Sequence, residues 1–173
     1  GLKLALSRDA KLWERRPIDP DFTAFRLGLG RIPFSITITT PDPDVDSEDL
    51  DRALEIADTY RYLNRAPAIL SLQQSFSLGV YGKRNITLES VRSIICQLAL
   101  AHAPQDLKIH LIAPQAYRDS WRWLEWLPHA HFNQQTAADL LAFDPDHIRN
   151  LLGNLSQTID QRKEHQEIGA IPH

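Results

Sequence analysis

Residues Phe76 to His102, FSLGVYGKRNITLESVRSIICQLALAH, narrow the choice of folds sharply. Phe76 to Tyr81 is a short apolar run with aromatic and β-branched members, the composition of a buried strand. Gly82 ends it, and Lys83 to Ile86 read as a turn. Thr87 then offers a side-chain oxygen to the free N–H groups of a helix start, with Asn85 as the competing cap. Leu88, Val91, Ile94, Ile95, Leu98 and Ala101 recur at three- and four-residue intervals, which predicts one apolar helix face. The single cysteine, Cys96, reads as part of that face and as packing.

Strand, glycine, loop and helix N-terminus is the order in which a phosphate-binding loop is built, because the first-turn amides of a helix attract anions. The chemistry of G-x-x-x-x-G-K-[ST] is missing. Counted from Gly82, the second glycine falls on Thr87 and the phosphate-binding lysine on Leu88. The hydroxyl that should hold Mg²⁺ falls on Glu89, an acid that repels phosphate. Lys83 follows the first glycine directly, too early in the loop. The unit therefore reads as P-loop-like in outline and degenerate in function, with Gly82, Lys83, Arg84 and Thr87 left as candidates for phosphate contact. Any strand–turn–helix step of an α/β domain shares that outline.

Before this stretch, Leu2 to Arg16 reads as a helix, stopped by Pro17 and Pro20. Phe22 to Leu29 reads as a strand, and Phe34 to Thr39 alternates with period two, so the pair is expected to form an antiparallel hairpin. Gly28 and Gly30 give a G-x-G, but a strand rather than a helix follows, which weakens a dinucleotide reading. The acids of Pro41 to Asp46 resemble the start of a calcium loop, yet two prolines and the missing glycine and closing glutamate favour a solvated linker. Ser47 caps a helix carrying Leu50, Ala53, Leu54, Ala57 and Tyr60 on one face. Ala68 to Leu72 is a short strand, close enough to Phe76 for a hairpin.

After the central helix, Leu107 to Ala113 is a strand, expected to lie parallel to Phe76–Tyr81 through a right-handed crossover. Tyr117 to Leu127 carries Trp121, Trp123 and Trp126, a cluster that either wedges a short helix against the core or docks a partner. His129 and His131 would share a face on a strand, but no third metal ligand is evident nearby. Asp144 and Pro145 start the last helix, whose inner face carries Ile148, Leu151, Leu152, Leu155 and Ile159.

Among 173 residues, 43% hydrophobic and 24% charged, there is enough apolar material for a real core. A formal charge of −3 and the lack of a basic cluster with interleaved aromatics do not support direct nucleic-acid binding. One cysteine permits no intrachain disulfide, so a reducing compartment is expected. No apolar run is long enough to span a bilayer. The sequence has no methionine, and its ending, Ala170-Ile171-Pro172-His173, reads as the approach to a further strand, so the chain is expected to be a piece of something longer.

The run Leu12-Trp13-Glu14-Arg15-Arg16-Pro17-Ile18-Asp19-Pro20-Asp21-Phe22, followed by Arg26-Leu27-Gly28-Leu29-Gly30, resembles the signature of FtsK/SpoIIIE-type ATPases of type VII secretion systems, the EccC/EssC component. Gly79 and Gly82, Gln97-Leu98-Ala99 with His102, Leu107–Ala113, Trp123–His129 and Ile171–His173 fit the same resemblance, which covers nearly the whole chain. It implies an α/β fold with a RecA/P-loop-like core of parallel strands and flanking helices, plus an N-terminal β-hairpin. Residues 1–40 would be the N-terminal segment and hairpin; 41–173 would be the degenerate P-loop-like domain, cut before its next core strand, the two forming one structural unit. The resemblance further implies a place on the cytoplasmic side, between a membrane anchor and tandem ATPase domains. ATP and Mg²⁺ would belong to those other domains, with no cofactor in this piece. The expected partners are the downstream ATPase domains, other subunits of the secretion machine and further copies in a ring. A non-catalytic assembly and coupling role follows, with Trp121, Trp123, Trp126, Arg15 and Arg16 as docking candidates. For the arginines, a local salt bridge to Asp19 or Asp21 is the competing reading. The alternatives are an ATP-holding domain with weak or ring-dependent hydrolysis, and part of a DNA translocase.

Overall fold

The computed structural model describes residues 12–34, 48–132 and 140–169. The calcium-loop reading at 41–46, the Ser47 cap and the strand at 35–39 lie outside them. The described residues divide into two compact units: 18–34 with 48–100, and 12–17 with 101–132 and 140–169. The class is α/β, with a two-stranded antiparallel ribbon in the first unit and a two-stranded parallel sheet in the second.

In the first unit, strand β1 (Ala24–Pro33) pairs with β2 (Tyr62–Ser71) rather than with the expected Phe34 segment. Phe34 itself has left the strand and donates its N–H to the Arg61 carbonyl at 2.9 Å. The register places Phe25 opposite Leu70, Gly28 opposite Ala68, Leu29 opposite Pro67 and Gly30 opposite Ala66, with irregularities at Leu27 and Arg31. Pro67 sits within β2, opposite Leu29. A proline is tolerated there because in a two-strand ribbon each strand has one unpaired edge. Between the strands, helix α1 (Glu48–Thr59) forms as its periodicity predicts.

A four-residue helix, α2 (Leu72–Ser75), follows β2 and removes the expected hairpin with Phe76–Tyr81. Phe76 closes that turn in the left-handed region, φ 54°, with its N–H on the Leu72 carbonyl at 2.9 Å. A residue held there cannot start a strand. Residues 76–81 accordingly belong to no sheet and are exposed, Phe76 at 89% and Tyr81 at 97%. The buried strand read from this run is thus corrected. Helix α3 (Arg84–Ala101) comes next. Its predicted face is real: Leu88, Val91, Ile94 and Ile95 are half-buried and Leu98 is buried. Cys96 is not on it; the thiol side is exposed.

In the second unit, Leu12–Arg16 is a turn and not a helix, with Trp13 at φ 59°. Arg15 then makes a parallel bridge to His102, its N–H on the Ala101 carbonyl at 3.0 Å. Of the strand expected at Leu107–Ala113, only β3 (Leu111–Ile112) is regular. Its parallel partner is β4 (Leu141–Ala142), which the sequence reading did not assign, and not Phe76–Tyr81. The preceding residues run along another turn: the Ile109 N–H reaches the His129 carbonyl and the Lys108 ammonium reaches that of His131, at 2.9 and 2.7 Å. Helix α4 (Arg118–Trp121) lies between 3₁₀ turns at Gln115–Tyr117 and Arg122–Trp126. Helix α5 (Pro145–Gly169) starts as read, with Asp144 Oδ1 accepting the His147 N–H at 2.9 Å. Leu140, Ala142 and Leu151 form a buried cluster on which Ile148 and Leu155 pack.

Candidate functional site

The phosphate-loop candidates gather at the start of α3, in a shorter form than the sequence suggests. The helix begins at Arg84, three residues before the expected cap. Its first turn closes with the Thr87 N–H on the Lys83 carbonyl at 3.0 Å. The Thr87 hydroxyl donates to that same carbonyl at 3.2 Å, so it back-bonds within the helix instead of accepting from free amides. Lys83 alone separates Gly82 from the helix. Gly82 takes φ 144°, a conformation open to glycine and costly for other residues. Lys83 and Arg84 are exposed, Leu88 is half-buried in the helix face, and Glu89 points to solvent. This geometry offers cationic side chains beside helix amides but no loop long enough to wrap a triphosphate.

A groove of about 280 Å³ lies nearby in the same unit, lined by Leu27, Leu78, Val80, Ser90, Ser93 and Ile94 among others. None of Gly82, Lys83, Arg84 or Thr87 lines it.

The aromatic segment splits into two roles. Trp121 is 8% exposed and belongs to the core, while Trp126 is 85% exposed. Trp123 is half-buried, and its indole N–H is buried without a hydrogen-bond partner. Arg16 meets Asp106 at 3.1 Å, a carboxylate ninety positions away that sequence spacing could not nominate. Arg15 is half-buried, with its backbone held in the bridge to His102.

The two imidazoles near residue 130 hold backbone, not a shared ion. Pro128–Ala130 is a 3₁₀ turn rather than a strand, so His129 and His131 do not share a face. His129 Nε2 donates to the His102 carbonyl at 2.8 Å, and His131 Nε2 to that of Glu125 at 2.9 Å. Among the described residues no three His, Cys, Asp or Glu side chains converge as a metal site would require. His102 and His129 are fully buried, and the edge of Trp13 packs on the His129 ring with centroids 6.3 Å apart. Sequence reasoning missed this buried pair, because an isolated histidine carries no sign of burial.

No family model matches the chain. It is 31% identical over 149 residues to the ESX-3 secretion system protein EccC3 of Mycobacterium tuberculosis, covering 82% of this chain and 11% of that protein. It is 24% identical over 179 aligned positions to the ESX secretion system protein EccC of Geobacillus thermodenitrificans, 95% of this chain and 12% of that one. The ESX secretion system protein YukB of Bacillus subtilis is 27% identical over 147 residues, 76% of this chain and 10% of its own length. The chain thus spans about a tenth of the length of the curated relatives it matches.

Proposed function

The chain belongs to the EccC family of ESX secretion proteins, and on that premise we propose that it is a non-catalytic assembly and coupling domain of a membrane-anchored, FtsK/SpoIIIE-like secretion motor. In this reading it works on the cytoplasmic side of the membrane. It links the anchor to downstream ATPase domains that carry the ATP and Mg²⁺, and helps them form a ring with the other subunits of the machine. Its α/β architecture would be a reduced RecA-type core. Among the described residues no helix is long and apolar enough to cross a membrane, which fits a role beside the anchor rather than as the anchor.

The start of α3 carries this reading. Leu88 and Glu89 stand where a working loop needs a cation and a hydroxyl, and one residue stands where it needs four. The exposed Lys83 and Arg84 favour a second reading, in which the domain holds ATP without Mg²⁺ chemistry. Calorimetric titration of the chain with ATP, with and without Mg²⁺, separates the two. The coupling reading expects no saturable heat and no shift of the melting temperature. Saturable binding that Lys83→Ala abolishes would overturn it in favour of the second. DNA binding with a steep salt slope would favour a translocase.

A further inference from the structure

The ribbon of β1 and β2 has an unusual outer face. Strands with one solvated side normally turn polar residues outward. Here the inward side holds Phe25, Gly28, Gly30, Ala66, Ala68 and Leu70, all buried or half-buried. The outward side holds Leu29, Pro67 and Ile69, with Leu29 and Ile69 at 58 and 68% exposure; Leu27, 54% exposed at the register shift, stands at the edge of the strip, where it also lines the groove beside α3. Arginines bracket this apolar strip: Arg26 at one end, Arg31 and Arg65 at the other, all exposed. Arg31 is held over the Tyr62 ring at 4.0 Å, which fixes its guanidinium at the end of the ribbon. A contiguous exposed apolar strip with a charged rim marks an interaction surface more often than chance exposure does.

Helix α1 carries the complement. Asp51, Glu55 and Asp58 recur at four- and three-residue spacing, so they form one acidic row. Leu54, 48% exposed, stands beside that row, and Ile56 is exposed at 49%. The row is about 10 Å long at the helical rise, close to the ~13 Å between Leu27 and Arg31 on an extended strand. In its own chain α1 leaves the strip uncovered, since both sets of apolar residues stay about half exposed. Two residues alone, Tyr60 and Arg61, separate α1 from β2, so the helix has little freedom to fold back along the ribbon.

We infer that the outward face of the β1–β2 ribbon and the acidic row of α1 are the two halves of a contact between copies of this chain. The arginines pair with the α1 carboxylates, and the leucines and isoleucines of the two surfaces cover one another. The contact joins different surfaces of two copies, so it either closes reciprocally in a dimer or runs head to tail. Three arginines are few for a nucleic-acid groove, and an anionic lipid surface would leave the acidic row of α1 without a role. The inference holds independently of the coupling role proposed above.

Sedimentation velocity on the 173-residue chain tests it, across the micromolar range and at rising sodium chloride. The expected result is reversible, concentration-dependent association that weakens with salt. Reversing the ribbon, with Arg31→Glu and Arg65→Glu together, or the helix, with Asp51→Lys and Glu55→Lys together, lowers the association constant by about tenfold or more. Mixing the two variants restores association, because each supplies the charge that the other lost. Circular dichroism shows whether each variant folds; if one does not, the salt dependence of the unaltered chain decides. A chain that stays monomeric throughout, association that ignores both salt and the reversals, or two variants that fail to associate when mixed would overturn it. So would binding of the monomer to phosphatidylserine vesicles through Arg31 and Arg65, which would assign the face to a membrane.

Discussion

His129 shows how one buried proton can tie a unit's stability to pH. Its Nε2–H is committed to the His102 carbonyl, which leaves Nδ1 bare, buried and without a partner. Protonation would place a charge and an unmatched N–H there. Burial pushes the His129 pKa below the ordinary 6.5, and the nearby Lys108 and His102 push the same way, against the carbonyl bond, which favours the charged form. The native state therefore takes up this proton less readily than the unfolded chain. His129 then contributes its full stability above about pH 6.5 and loses it as pH falls toward the depressed native value. His110 is also held below its ordinary value, by partial burial and Lys108, but its exposed ring contributes less. Urea unfolding across that range should show stability falling with acid, and His129→Leu should flatten most of the slope. At neutral pH that substitution should cost about 1–3 kcal/mol, because the His102 carbonyl loses its donor. An unchanged acid slope in the variant would place the titrating group elsewhere.

At the scale of elements, one side chain ties β1 to α3. Gln97 Oε1 accepts the Arg26 N–H at 2.9 Å and its Nε2 donates to the Arg26 carbonyl at 3.0 Å. The amide thus occupies the open edge of β1 as a short piece of strand would, and blunts it against pairing with other chains. Gln97→Ala should cost about 1 kcal/mol, a modest figure because the site is wet. Hydrogen exchange at the Arg26 amide should accelerate by more than at the β1 amides that face β2. What could be read in advance follows the range of the cause. Asp144 before Pro145, and the apolar row from Leu88 to Leu98, act within one or two turns and were legible. The β1–β2 pairing joins Phe25 to Leu70 across 45 positions, and β4 is two residues long; neither leaves a local pattern. Phe76–Tyr81 has strand composition, but a strand also needs a neighbour, and the left-handed Phe76 denies it a start. At the start of α3 the sequence shows which residues stand after Gly82, but the helix begins at Arg84 and not at the expected Thr87 cap, because propensity does not fix a boundary.

For the whole molecule, the question is whether its aromatic segment holds the fold or meets a partner, and the two tryptophans five positions apart answer separately. Trp121 is 8% exposed and Leu124 beside it is fully buried, so this side of the segment belongs to the second unit's core. Trp121→Ala should cost about 3–5 kcal/mol of stability, the range for deleting a packed aromatic. Trp126, at 85% exposure, holds little in place, and Trp126→Ala should change stability by less than about 0.5 kcal/mol. A large exposed indole is nevertheless the side chain that most often anchors an interface, where its loss costs about 2 kcal/mol or more of binding. The coupling role thus makes a paired demand. In the full-length parent, Trp126→Ala should lower assembly or secretion while the melting temperature of this chain stays put. Acrylamide should quench Trp126 readily in the isolated chain and poorly in the assembled machine. If the variant assembles and secretes as before, Trp126 is not a docking residue, and the partner surface lies instead on the ribbon or around Arg16.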